Sequence, residues 1–78
     1  MFFVYLLKSS KSNWYYVGLA ENIKRRLKEH NLGEVKSTKF RMPYKLIYKK
    51  EFESRKMARD FEKYLKIRSN KEKLIASL

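Results

Sequence analysis

Trp14-Tyr15-Tyr16-Val17-Gly18-Leu19 is the stretch on which the fold turns. It is short, aromatic and apolar, and it reads as a strand that ends at a glycine. Upstream, Phe2-Phe3-Val4-Tyr5-Leu6-Leu7 has the same character and is apolar on both faces, as a strand in the middle of a sheet must be. The gap from Lys8 to Asn13 is polar and rich in serine, so the two strands are expected to form an antiparallel hairpin. Downstream of Gly18, Asn22 can cap a helix that runs to about Asn31, with Gly33 as its stop. Ile23, Leu27 and His30 then fall on one face of that helix.

From Asn31 to Pro43 the chain is mostly polar and reads as a loop. Tyr44 to Phe52 alternates, with Tyr44, Leu46 and Tyr48 on one side and Lys45, Ile47 and Lys49 on the other. The lysines place this third strand near an edge, because they discourage further pairing. Ser54 can cap a second helix to about Arg68, with Met57, Ala58, Phe61 and Leu65 as its apolar stripe. Ser69 followed by Glu72 resembles a capping box that opens a short last helix through Leu74, Ile75 and Leu78. The order β-β-α-β-α-α predicts an α+β fold, a small three-stranded, mostly antiparallel sheet flanked by helices. One domain is expected over residues 1–78, since a second would have no core of its own.

Composition narrows the function. There are 20 Lys+Arg against 8 Asp+Glu, a formal net charge of +12. Such a surplus on a small domain attracts polyanions, chiefly nucleic acid. With no cysteine, disulfide scaffolds and cysteine-ligated zinc modules are excluded, and a reducing, cytoplasmic setting is expected. The apolar run Met1–Leu7 is too short to span a bilayer, and neither long helix is apolar enough outside its core stripe to lie on one, so no membrane role is expected.

Some polar residues sit where apolar ones would suit the core. Tyr5 and Tyr16 lie inside the hairpin strands, and Tyr16 shares a face with Gly18. Taken singly, each tyrosine is expected to do no more than hydrogen-bond locally. Arg26 and His30 are neighbours on the first helix, and Arg26 borders its buried stripe. A lone histidine on an apolar face is more often a packed core residue than a catalyst. Glu62 borders the core stripe of the second helix, where it can pair with Lys66 or hold a divalent cation. No second carboxylate clusters with it, which argues against a two-metal site.

Val4-Tyr5-Leu6, Tyr15-Tyr16-Val17-Gly18, Arg26, His30, Gly33, Thr38, Pro43, Leu46, Tyr48 and Glu62, in that order and spacing, resemble the GIY-YIG endonuclease domain. The likeness is greatest to small stand-alone members, which are similar to the N-terminal nuclease domain of the excision-repair excinuclease. It covers nearly the whole chain. The resemblance implies hydrolysis of DNA phosphodiesters at a single-metal site. Glu62 would hold Mg²⁺ or Mn²⁺, Tyr5 and Tyr16 would line the reaction centre, and one of them would orient or deprotonate water. Arg26 would neutralise the scissile phosphate, and His30 would assist proton transfer or touch phosphate. Lys24, Arg25, Lys36, Lys39 and Arg41 are the basic residues expected to hold the flanking nucleic acid. The expected partner is DNA, branched forms included and RNA left open, with a protein partner to choose the target. DNA repair or recombination is the implied setting.

The chemistry suits those roles. In-line displacement gathers negative charge on the phosphate oxygens, where a cation and a preorganised arginine act most strongly in the transition state. Tyrosine is a poor base at neutral pH unless cations lower its pKa, a task expected of Arg26, the metal and nearby lysines. There are departures from the family pattern. Val4 stands where the family name has its first glycine, and Leu19 stands where the excision-repair branch has a lysine. Asn70 is a weak candidate for the late asparagine of some branches, with helix capping as its plainer role. The alternative function is a nucleic-acid-binding module on the same fold with little catalysis, using the lysines, Trp14 and exposed tyrosines as clamp and stacking surface.

Overall fold

The aromatic hairpin forms as the sequence predicts, β1 (Phe2–Ser9) against β2 (Tyr15–Ala20). It is seen in a computed structural model that describes residues 1–78. β3 (Tyr44–Phe52) pairs with the other edge of β1, so the order is β2-β1-β3 and both pairings are antiparallel. The central position of β1 explains its composition. Val4, Tyr5, Leu6 and Leu7 are all buried, because both faces of the strand are covered.

The two faces carry different helices. On one, Val4, Leu6 and Val17 pack against Ala58 and Leu65 of α2 (Arg55–Lys66), with Leu74 and Ile75 of α3 (Arg68–Ser77) beside them. On the other, Tyr5, Leu7 and Tyr44 pack with Ile23 and Leu27 of α1 (Ile23–Asn31). The Asn22 side chain accepts from the Arg25 amide at the start of α1, and Ser54 does the same for Met57 at the start of α2. Gly33, at φ 77°, closes α1. Its amide bonds the His30 carbonyl and the Glu34 amide bonds the Glu29 carbonyl, the paired pattern of a left-handed helix stop.

Four local expectations are corrected. β3 does not alternate strictly: Leu6 faces Tyr48 and Leu7 faces Leu46, so Ile47 is an extra residue, a bulge. Tyr44 and Leu46 therefore pack on the α1 face, whereas Ile47 and Tyr48 pack with the α2 face. Met57 is exposed and no part of the stripe. The second helix ends at Lys66, because Ile67 is extended (φ −72°, ψ 125°) and breaks the chain into α2 and α3. Ser69 and Glu72 form no capping box. Ser69 lies inside α3, and Glu72 pairs with Arg68 one turn back. The polar stretch after α1 contains a 3₁₀ turn, Lys39–Arg41. It is held down by Ser9, whose hydroxyl donates to the Arg41 carbonyl at 2.6 Å.

Candidate active site

Tyr5 is the hub of the site, and Gly18 is the reason it fits. The two are cross-strand partners, so a side chain at Gly18 would point to the same face as Tyr5. A Cβ there would collide with the Tyr5 ring and hydroxyl, and would crowd the Tyr16 ring at 2.9 Å. The phenol thus lies across the backbone of β2, 1% exposed. The Tyr16 ring centroid is 6.3 Å from that of Tyr5. Tyr16 is half-buried, and its hydroxyl, with no partner in the chain, opens to solvent, since no buried polar atom is left unpaired.

Behind Tyr5 lies His30, wholly buried on α1. Its Nε2 is 3.1 Å from the Tyr5 hydroxyl, and its Nδ1 is 2.8 Å from Thr38 Oγ1. Burial, with help from the Arg26 charge, pushes the His30 pKa down to about 4, so the ring is neutral near pH 7. Closed to solvent, His30 has no surface to offer a phosphate in this conformation. Burial also pushes Tyr5 up to about 12, and Tyr16 adds to the rise while Arg26 opposes it. The expected lowering by Arg26 is present in sign but outweighed, because desolvation of a buried phenolate is the larger effect.

Arg26, one turn before His30, has its pKa raised first by its bond to Glu29 and then by the nearby Tyr5 hydroxyl. Its side chain is 39% exposed, and Nη1 bonds Glu29 at 2.9 Å. Arg25 reaches the same carboxylate at 3.4 Å. These bonds, Arg26 first, hold the Glu29 carboxyl below the usual carboxylate range. The two arginines and Glu29 line a cleft of about 330 Å³ that ends at Leu19 and Ala20 of β2. A larger cleft, about 610 Å³, lies between the hairpin turn and α3 and contains none of the expected site residues.

Glu62 comes from α2, which packs on the opposite face of the sheet, yet its charge acts on Tyr5 and raises that phenol's pKa further. Its side chain is 18% exposed and lies 3.4 Å from Lys66. No group of three or more metal-ligating side chains occurs anywhere in the fold. Of the expected contact residues, Lys24 and Arg25 are exposed on α1, while Lys36, Lys39 and Arg41 are exposed on the stretch after it. Arg41 stacks on Trp14, 4.7 Å from its centroid, and Trp14 in turn stands 6.3 Å from Tyr16. One face of the indole is thereby occupied. Asn70 caps the end of α2 by donating to the Tyr64 carbonyl at 3.0 Å.

Two residues near the site carried no signal for their surroundings in the sequence. Thr38 stood out only as part of a family pattern, and it is 1% exposed against His30. Lys49 is the cross-strand partner of Tyr5 and shares its face, a placement that the bulge at Ile47 sets by shifting the register. A count of alternating residues could not have found it.

No helix is long and apolar enough to cross a membrane. The model of the GIY-YIG catalytic domain matches residues 1–75. Among relatives, a UPF0213 protein of Clostridium perfringens is 40% identical over 80 residues, covering 99% of this chain and 85% of its own. The UPF0213 protein YazA of Bacillus subtilis is 35% identical, covering 91% of this chain and 72% of its own. A UPF0213 protein of Bacillus halodurans, solved by solution NMR, superposes with a TM-score of 0.60 at 31% identity. That match covers 97% of this chain and 84% of the other. Fold order, the hairpin tyrosines over Gly18 and these likenesses agree, and the chain belongs to the GIY-YIG family of nuclease domains.

Proposed function

We propose that the protein is a divalent-metal-dependent endonuclease that hydrolyses DNA phosphodiesters at the site around Tyr5, with repair or recombination as its setting. The observation that carries this is the convergence on one buried phenol. Tyr16 from β2, Arg26 from α1 and Glu62 from α2 all act on the Tyr5 hydroxyl. An arginine and a carboxylate from elements distant in sequence thus lie within electrostatic reach of one phenol on a basic domain.

Glu62 suits a hard divalent ion. It is a half-buried carboxylate, and Mg²⁺ commonly takes one or two carboxylates, with water and substrate phosphate filling the rest. Bound there, Mg²⁺ or Mn²⁺ would supply Lewis-acid stabilisation of the phosphate oxygens. Lys66 competes for the same carboxylate and would be displaced.

The chain's own groups divide the remaining work. Tyr16, with its solvent-facing hydroxyl, orients the attacking water. Arg26 keeps donors free beyond the one bound to Glu29 and directs them at non-bridging oxygens. The water oxygen bonds phosphorus, the bond to the leaving oxygen breaks, and the released protons pass to solvent and to the leaving oxygen. Tyr5, neutral and buried, braces Arg26 from behind, while His30 acts through Tyr5 and not on phosphate. Lys24, Arg25, Lys36, Lys39 and Arg41 hold the flanking backbone.

The test is a cleavage panel of single-stranded, duplex, flap and branched DNA, plus RNA, with Mg²⁺ and with Mn²⁺. Metal-dependent nicking is expected, lost in Arg26→Ala and Glu62→Ala proteins that keep the native amide spectrum. Full cleavage by the Glu62→Ala protein would sink the metal assignment. A second reading has its own observation: both key charges are already paired, Arg26 with Glu29 and Glu62 with Lys66. Salt-sensitive binding without cleavage under either metal would assign the chain to nucleic-acid binding alone.

A further inference from the structure

Tyr5, His30 and Thr38 form a buried chain of hydrogen bonds, and its polarity can be read from its two ends. At the inner end, the Thr38 hydroxyl lies 3.3 Å from the Val35 carbonyl. That oxygen also receives the amides of Thr38 and Lys39, and it can only accept. The hydroxyl donates to that oxygen. A hydroxyl has a single hydrogen, so the 2.8 Å contact with His30 must be filled by Nδ1–H. At the outer end, Tyr5 is 1% exposed, and His30 Nε2 is the one acceptor that its hydroxyl meets within the chain. The Tyr5 O–H therefore points inward to a bare Nε2. Both ends favour the same tautomer, protonated on Nδ1 alone.

We propose that Thr38 is a positioning residue of the site: it holds His30 in the Nδ1–H tautomer and thereby turns the Tyr5 hydroxyl hydrogen away from Arg26. Tyr5 then presents only lone pairs to the guanidinium, which carries only donors. With the opposite tautomer, Nε2–H would fill a Tyr5 lone pair and the phenolic hydrogen would swing towards Arg26, donor against donor. A hydroxyl on the turn after α1 thus reaches the phosphate-binding arginine through two buried rings. Tyr44 steadies the turn, its hydroxyl donating to the Thr38 carbonyl at 2.8 Å. The importance of Arg26 to catalysis rests on the nuclease reading above, whereas the polarity of the chain does not.

The test uses the single histidine as its own probe. Long-range ¹H–¹⁵N spectra of the labelled protein at pH 7 report which ring nitrogen bears the proton. Wild type is expected to show Nδ1 protonated and Nε2 bare. Thr38→Val keeps the shape, removes the acceptor of Nδ1–H and leaves Tyr5 as the ring's remaining partner, so it should move the proton to Nε2 in part, while Thr38→Ser should restore the native tautomer. A wild-type protein protonated on Nε2 overturns the proposal, as does a folded Thr38→Val protein that keeps the native tautomer. Should Thr38→Val not fold, the Thr38→Ser and wild-type spectra still decide the polarity. Where cleavage is detected, Thr38→Val is expected to slow it and Thr38→Ser to restore it. Absence of cleavage in wild type, with the tautomer as expected, would remove the nuclease reading and leave the proton chain standing.

Discussion

Gly18 shows how much a site can depend on an atom that is absent. Its missing Cβ is the space that the Tyr5 ring fills, and that ring is pinned by His30 and cannot retreat. Gly18→Ala is therefore expected to destabilise the fold by about 1–3 kcal/mol, the usual cost of overpacking a close contact. Urea unfolding measures this, and a stability equal to wild type would show that the ring can yield. His30 supplies a second prediction. Its pKa is about 4 in the fold against 6.5 for a free side chain, so the unfolded chain binds more protons between those values. The sign follows: stability is full above about pH 6.5 and falls as the pH drops towards 4, by up to about 3 kcal/mol. An NMR titration of the ring should show it neutral down to about pH 4, and unfolding at pH 7 and pH 4.5 should show the loss. At this scale the sequence exposed the identities of Tyr5, Tyr16, Gly18, Arg26, His30 and Glu62, because each is a polar or missing side chain within or beside an apolar stripe. It could not show that His30 is sealed behind Tyr5, because burial depends on what packs over a residue.

Among elements, the join between α1 and β3 illustrates what periodicity misses. The Asn31 amide copies a strand partner: Oδ1 accepts from the Tyr44 amide at 2.6 Å, and Nδ2 donates to the Tyr44 carbonyl at 3.2 Å. This clip ties the end of α1 to the first residue of β3 and so holds Tyr44 beside the site. Asn31→Ala is expected to cost about 1–3 kcal/mol, because it strands part-buried backbone groups. Equilibrium unfolding gives the number, and exchange of the Tyr44 amide should rise in the same variant. A protein with native stability and native Tyr44 protection would deny the clip its role. The strands, their order and the starts of α1 and α2 were legible from composition and capping residues. The bulge at Ile47 was not, since one inserted residue leaves the apolar content of the strand unchanged. The break at Ile67 was also hidden, because isoleucine carries no stop signal.

For the whole molecule, the net charge of +12 acts at long range and without sequence preference. Binding to duplex DNA in EDTA should weaken steeply as salt rises, with a slope of about −0.9 in log K per log salt for each phosphate contact. Replacing Lys39 and Arg41 together by alanine is expected to flatten that slope by up to about 2. Fluorescence anisotropy across a salt series reads both, and an unchanged slope would place the bound strand away from the turn after α1. Arg41 covers one face of Trp14, which leaves at most the other face of the indole for a stacked base.

By itself the sequence determined the element order, the charge and the identities of the polar residues along the hairpin and helices, since these follow from local composition and spacing. Only the tertiary structure decided what each group is next to. It put Glu62 within electrostatic reach of Tyr5 from the other side of the sheet, set Lys49 opposite Tyr5 through a bulge, and raised the Tyr5 pKa where the sequence had suggested a lowered one. The reason is physical: pKa, tautomer and reach depend on burial and on neighbours brought together across the fold, and no window of sequence contains them.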